Sequence, residues 1–510
     1  MPRYPADAEI PVHVDRSAGP IPGQIVEQIR RLVTTGALRS GDPVPSTRGL
    51  AERLGISRGT VTTAYDQLAG EGYLVSDRGS TRVTPDLPPD VTDPGRRGTT
   101  SSAQGPGGPA AAASAPRPAP RASAAPLADL RPGTPDISSL ANTAWRSAWR
   151  SAAAHPGLGY GAEGSEELRR ELAEYLRLMR SVVVSPEDLV VTAGARDGLR
   201  LLLTVLGPRS SGPLTVAVED PGYPSLHRVP QALGHTVVPV PLDAQGLDPA
   251  GLPSGAGRPD VVLLTPSHQY PLGTSMPVSR RLELLRWAEE HDALLVEDDY
   301  DSELRYVGDP LPALAALDSR EATAHGRVVT LGSFAKTLTP GLGLGFVLLP
   351  GWLRGEVLRL RRDAGAPVSA VVQDAVADYM RSGGFRRHTA RMRRDYRRRR
   401  DLLARTLDAA LLPAGVEVLP MDGGLHAVLQ MPGPADEARV LEALGRAGIA
   451  VAALGEYWSR GRRGAGEAGD GWPQAGVVVG FGGLSEAGLV RGLTRLRGVL
   501  REVLGPPARG

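Results

Sequence analysis

Val328-Val329-Thr330-Leu331-Gly332-Ser333-Phe334-Ala335-Lys336 is a β-branched run that ends in a Gly-Ser turn and then delivers a lysine. The run predicts a strand, and the turn places the amine at the strand's mouth. Lys336 is the only lysine among the 58 Lys and Arg residues of the chain. An arginine replaces lysine as a surface charge, but its delocalised guanidinium cannot condense with an aldehyde. A lysine retained where every other long cation is arginine therefore points to amine chemistry. The bland alternative, a chance survivor on a solvated face, fits poorly with a position at the end of an apolar strand.

Working outward, the same grammar repeats. Leu189–Thr192, Leu214–Val218, Val261–Thr265 and Ala293–Val296 read as strands separated by helical patterns, the mark of an α/β domain with a mainly parallel sheet. Leu189-Val190-Val191-Thr192 runs into Ala193-Gly194-Ala195 and then a helix through Leu199 to Leu206, so free backbone N–H groups and a helix dipole converge as an anion cradle. The other strands lead into Glu219-Asp220-Pro221-Gly222-Tyr223, Pro266-Ser267-His268-Gln269-Tyr270 and Glu297-Asp298-Asp299-Tyr300-Asp301. Side chains at the carboxyl ends of parallel strands meet in one crevice. An amine, carboxylates, aromatics and a phosphate cradle are what pyridoxal 5′-phosphate requires. Clustered acids usually mean a solvated loop, a reading weakened here by the apolar strand before them.

Composition sets the bounds. At 510 residues the chain suggests two or three domains of roughly 100–250 residues, and 41% hydrophobic content supplies their cores. With no cysteine there is no disulfide framework or thiolate metal site, and no metal is expected. Met1–Asp15 lacks a signal-peptide pattern and no apolar run reaches about 18 residues, so the expectation is a cytoplasmic protein that does not enter a membrane. A formal net charge of +2 says nothing for nucleic acid, which must be argued from patterning.

Residues 85–126, built of Pro, Ala, Gly, Ser and Thr, read as a flexible linker. Before it, Ile21, Ile25, Ile29, Leu32 and Val33 form one helical stripe. A second helix starts after Ser46, buries Leu50 and Leu54 and stops at Gly55; a third, capped by Ser57, carries Val61, Ala64, Tyr65 and Leu68. That is a helix-turn-helix, with Arg48, Ser57, Arg58, Thr60 and Thr62 on the DNA-facing side. Tyr73 to Val83 alternates and turns at Gly79 like a β-wing. A plain trihelical interaction module is the alternative.

Pro45–Ala51, Ser57–Val61 and Glu71–Leu74 resemble the winged helix-turn-helix of GntR-type bacterial regulators across residues 12–84, although Ser80-Thr81-Arg82 stands where that family has a second glycine. Glu219–Pro224, Thr265–Pro271, Glu297–Glu303 and the Lys336 segment resemble the aminotransferase-like domain of the MocR subfamily, here residues 127–505. The resemblance implies a fold-type I aminotransferase architecture, double-stranded operator DNA as partner and a head-to-tail homodimer. It also implies PLP on Lys336, with Asp298 at the ring nitrogen, Tyr300 at the ring oxygen and Tyr223 stacked. Ser333 and the amides near Gly194 and Ala195 would hold the phosphate, with Tyr160 contributed by the partner subunit.

Three positions depart from that pattern. Ala335 replaces a serine, Gly343 replaces a phosphate-binding arginine, and Ala475–Val479 lacks the arginine that clamps a substrate carboxylate. Each lost charge-assisted hydrogen bond costs about 1.5–3 kcal/mol. The reading is thus a DNA-binding transcriptional regulator whose PLP domain senses, with a small amino compound as one possible effector. The alternatives are a working aminotransferase with an added DNA-binding domain and a regulator that reads another ligand without PLP. The arginine-rich run Arg386–Arg400 reads as a solvated or interdomain helix face. Residues 459–474 read as a mobile loop of unassigned role.

Overall fold

The computed structural model describes residues 10, 12, 14–16, 19–34, 38, 40–77, 80–84, 127–157, 159, 161–210, 212–307, 312–318, 326–365, 367–459 and 475–506. They belong to two units, residues 1–118 and 119–510. The expected linker 85–126, the wing tip Gly79, Tyr160 and residues 460–474 lie outside the described residues.

In the first unit, helices Ile21–Thr34, Thr47–Leu54 and Arg58–Gly70 precede an antiparallel pair, Leu74–Asp77 with Ser80–Val83. The caps explain the tight turn. Ser46 accepts from the Gly49 N–H and Ser57 from the Thr60 N–H, while Gly55 adopts a left-handed φ of 62° and returns its N–H to the end of its own helix. Ile25, Ile29, Leu50, Val61 and Leu68 are fully buried at the shared core. The Tyr65 hydroxyl donates to the Pro45 carbonyl at 2.9 Å, tying the third helix to the entry of the second.

The second unit is built on an eight-stranded sheet in the order Leu189–Thr192, Gly345–Leu348, Val328–Ser333, Leu294–Asp299, Val261–Leu264, Thr215–Asp220, Thr236–Asp243, Gly246–Leu247. All neighbours pair in parallel except around Gly345–Leu348 and Gly246–Leu247. Val261–Leu264 and Leu189–Thr192 are buried at every residue because helices cover both faces. The strands run further than their apolar stretches: Glu219-Asp220, Glu297-Asp298-Asp299 and Ser333 lie inside strands, not after them. Ladder pairing carries them on, Leu331 opposite Asp298 and Gly332 opposite Asp299.

A smaller layer follows, the antiparallel sheet Glu417–Val418, His426–Gln430, Gly476–Gly480, Ala452–Ala453, packed under helices Pro434–Arg446 and Glu486–Leu504. The chain enters the second unit through this layer, since Ala128–Asp129 pairs in parallel with Ile449–Ala450 and the Leu130 carbonyl accepts from the Gly480 N–H at 2.7 Å. The arginine run lies on helix Gly384–Thr406. Arg387, Arg391, Arg394 and Arg398 are exposed on one face, as expected, but Arg399 is buried and bonds Asp136 and the Gly482 carbonyl. No helix among the described residues is long and apolar enough to cross a membrane.

Three glycines allow strand ends to close on each other. A Cβ on Gly345 would lie 2.4 Å from the Gly332 carbonyl oxygen and 2.8 Å from the Gly194 Cα, both rigid backbone atoms. Gly345→Ala is therefore expected to lower stability by about 1–3 kcal/mol through overpacking. Gly355→Ala, on the exposed side of helix Gly351–Ala364 with nothing within 4 Å, is expected to raise it by up to about 1 kcal/mol. Chemical denaturation of the two variants beside wild type measures both signs.

Candidate functional site

The carboxyl ends of Leu189–Thr192, Leu294–Asp299 and Val328–Ser333 open into a cavity of about 280 Å³. Lys336, Asp298, Tyr300, Tyr223, Ser333, Gly194 and Ala195 all line it. The sequence thus named seven described residues that the fold brings to one cavity. Lys336 is half-buried, and its amine donates to the Gly133 carbonyl at 2.8 Å. Withdrawal from water pushes its pKa down, with Asp301 and Asp298 pulling the other way.

Asp298 is 4% exposed and its Oδ1 has no hydrogen-bond partner. Burial, with Asp299 and Asp301 nearby, pushes its carboxyl up to about 8, against the attraction of Lys336. An orphaned carboxyl of this kind fits a cationic or protonated ring nitrogen that would pair with it. Strand residues alternate faces, so Glu297 and Asp299 do not line the cavity, although burial pushes the Glu297 carboxyl up as well, to about 7. Arg180 Nε lies 2.8 Å from Asp299, and the buried Arg180 and Arg281 stand 3.7 and 3.8 Å from Glu297. Arg281, with no exposed surface, also donates to the carbonyls of Met276, Pro312 and Pro266. This network holds Glu297 and Asp299, leaving Asp298 to the cavity.

At the anion cradle, Gly194 has φ +96° and offers no side-chain cap, so the first amides of helix Ala195–Leu206 are left for a ligand. Asp197 fixes this turn: it accepts from the Ala193 N–H at 3.0 Å, from Arg200 at 2.8 Å and from the buried Arg361 at 3.0 Å. Ser333 accepts from the Ala335 N–H, which leaves its hydroxyl proton free to donate. The cavity also meets Arg196 and Gly343.

Several residues not singled out from sequence complete the aromatic wall. His268 Nδ1 lies 2.9 Å from both Asp301 Oδ2 and the Tyr300 hydroxyl, and that hydroxyl donates to the His268 carbonyl at 3.0 Å. Tyr223, itself 39% exposed, meets Tyr270 edge-on at 5.3 Å. Tyr457 arrives from the smaller layer, its hydroxyl 3.3 Å from that of Tyr270 and its carbonyl accepting from the Gly222 N–H. The Ser459 N–H and hydroxyl both donate to Asp220, at 2.8 and 2.7 Å. His268 and Tyr270 stand in quoted strand-end motifs and were findable there. Tyr457 belongs to a segment without any such signal.

In the first unit, Arg48 and Arg58 are exposed at the starts of the second and third helices. Arg58 Nε donates to the Thr47 hydroxyl at 3.3 Å. The hydroxyls of Ser57 and Thr60 meet at 2.8 Å, and that of Thr62 returns to the Arg58 carbonyl. The two guanidiniums are thus the groups least committed to the helix itself.

The chain matches the family model for aminotransferase class I and II over residues 136–462 and that for bacterial regulatory proteins of the gntR family over residues 22–83. Over 488 residues, 95% of each chain, it is 44% identical to the HTH-type pyridoxine biosynthesis transcriptional regulator PdxR of Corynebacterium glutamicum. It is 32% identical over 502 residues to the probable rhizopine catabolism regulatory protein MocR of Rhizobium meliloti, covering 96% of this chain and 94% of that one. An archaeal alanine:glyoxylate aminotransferase superposes with a TM-score of 0.64 at 24% identity, over 74% of this chain and 91% of that one, a likeness of fold alone.

The raised Asp298 pKa has a pH signature. In the ligand-free protein the folded state keeps this proton up to about pH 8, whereas an unfolded chain releases it near 3.8. Folded protein thus binds more protons in between, and Asp298 makes stability fall as pH rises from about 4 to about 8. In Asp298→Asn that contribution vanishes, so its Tm is expected to fall less than that of wild type between pH 5 and pH 8. Scanning calorimetry of the two proteins across this range measures the difference.

Proposed function

This chain belongs to the MocR-type GntR regulators and is a DNA-binding transcriptional regulator with an aminotransferase-like effector domain; we propose that this domain holds pyridoxal 5′-phosphate at the cavity around Lys336 and senses it. The carrying observation is the chain's one lysine set in the same cavity as a buried carboxyl with an unpartnered oxygen. The other requirements are met as well: uncapped helix amides for a phosphate, and tyrosine rings for an aromatic ring. Lys336 would hold the aldehyde carbon, Asp298 the ring nitrogen, Tyr300 the ring oxygen and Tyr223 the ring face. Ser333 with the amides near Gly194 and Ala195 would hold the phosphate, Tyr160 of the partner subunit assisting in a head-to-tail homodimer. When bound, the cofactor supplies an electrophilic carbon and an electron-withdrawing ring. Asp298 keeps its charge or proton beside that ring because Arg180 and Arg281 hold the neighbouring acids away.

Sensing is favoured over turnover. Holding a substrate carboxylate so that its Cα–H bond stands perpendicular to the ring ordinarily takes an arginine fork. Gly476–Gly480 offers none, and Arg196 is the one arginine among the described residues lining the cavity. The relative named for pyridoxine biosynthesis supports PLP itself as the effector and vitamin B6 supply as the regulated process. We assign residues 12–84 to DNA binding, 85–126 to the connection and 127–505 to the effector domain, in a protein of the cytoplasm. Arg48, Ser57, Arg58, Thr60, Thr62 and Gly79 form the reading surface.

Borohydride reduction of the PLP-treated protein, followed by peptide mapping, is expected to place a pyridoxyl group on Lys336; none there at saturating PLP would remove the cofactor. Arg58→Ala is expected to weaken operator binding by about 1–3 kcal/mol if it contacts a base, or to lower the salt slope by about one if it contacts phosphate. Unchanged binding in Arg48→Ala/Arg58→Ala protein contradicts the reading surface. With amino acids or ω-amines plus an oxo-acid acceptor, operator affinity should shift with PLP while keto product stays below multiple turnovers. Sustained turnover with operator affinity unmoved would make the protein an enzyme.

A further inference from the structure

We infer that Arg196 is the guanidinium that grips the phosphate of the bound vitamer and makes the site selective for its phosphorylated form; this rests on the PLP reading above. A phosphate monoester carries a charge of about −1.5 to −2 at neutral pH. A helix N-terminus supplies only about half a unit of compensating charge, so a cavity that prefers the phosphorylated form needs a cation beside its amides. Among the described residues the cavity is lined by two cationic residues, Lys336 and Arg196. The first is engaged: its amine bonds the Gly133 carbonyl and faces the pull of Asp298 and Asp301.

Arg196 is the second residue of helix Ala195–Leu206, directly beside the uncapped amides. Its side chain is exposed, and it makes no hydrogen bond or ion pair among the described residues. The nearest acid in sequence cannot neutralise it, because the carboxylate of Asp197 is shared by Arg200, Arg361 and the Ala193 N–H. Gly343 also lines the cavity, in the left-handed region at φ +54°, and a Cβ there would have no heavy atom within 4 Å. That stretch of wall contributes no charge and leaves room for a long side chain to fold inward. An independent sign that the cavity is built for a ligand is Asp298, 4% exposed with an unpartnered oxygen on the same cavity.

The test is a titration of the full-length protein with PLP and with pyridoxal, which lacks the phosphate, followed by absorbance. Arg196→Gln is expected to weaken PLP by about tenfold or more while leaving pyridoxal within about twofold. Arg196→Lys, keeping the charge without the fork, is expected to fall between. Inorganic phosphate should compete with PLP for wild type and lose most of that effect in Arg196→Gln. PLP affinity unchanged in Arg196→Gln, or PLP and pyridoxal weakened equally in both variants, overturns the assignment; equal weakening would mark a structural role or a contact to another part of the ligand. Wild-type protein that takes up no PLP would instead remove the cofactor reading, and this inference with it.

Discussion

Everything at the candidate site depends on a strand sorting three consecutive carboxylates. Glu297, Asp298 and Asp299 lie on one parallel strand, so the pleat sends the middle one to one face and its neighbours to the other. Two buried acids followed by a half-buried one would be untenable without compensation, since each buried charge costs several kcal/mol to remove from water. Arg180 and Arg281 supply it on one face, and Arg281 is itself saturated by three backbone carbonyls. What remains on the cavity face is one carboxyl, Asp298, which burial pushes up to about 8. The protein thus keeps a polarised slot ready, and the cost is carried by the rest of the sheet.

Much of this was legible before any coordinates. The capping serines, the glycine after Leu54 and the helical stripes specify the winged helix-turn-helix from local chemistry alone, and the observed helix limits follow those signals. The strand-end motifs put the amine, Asp298 and the tyrosines in one crevice because parallel strands share a carboxyl edge. The strand outruns its apolar composition, which ends at Val296 while ladder pairing continues to Asp299. The antiparallel insertion of Gly345–Leu348 beside the lysine strand, with its three-glycine contact, depends on a long-range pairing that no local pattern encodes.

Tyr457 was invisible for a related reason. It comes from a short turn of the smaller layer, more than a hundred residues from the motifs it joins, and its place is set by the hydrogen bonds of Gly222 and by Ser459 on Asp220. Arg196 carries no sequence signal of its own, and its place on the cavity separates it from Arg200 one turn later. Gly79 and Tyr160 fall outside the described residues, so their roles rest on sequence reasoning.

The short stretch from Leu127 to Gly133 carries a mechanical consequence. At its start it is zipped to Ile449–Ala450, and at its end the Gly133 carbonyl is the acceptor for the Lys336 amine. It is also the first described chain after the long Pro- and Ala-rich segment that follows the DNA-binding unit. The lysine is therefore bonded to a segment that the smaller layer holds by its own strand pairing. Whatever takes that amine away from Gly133 acts on a segment already fastened to the smaller layer, without having to bend the eight-stranded sheet.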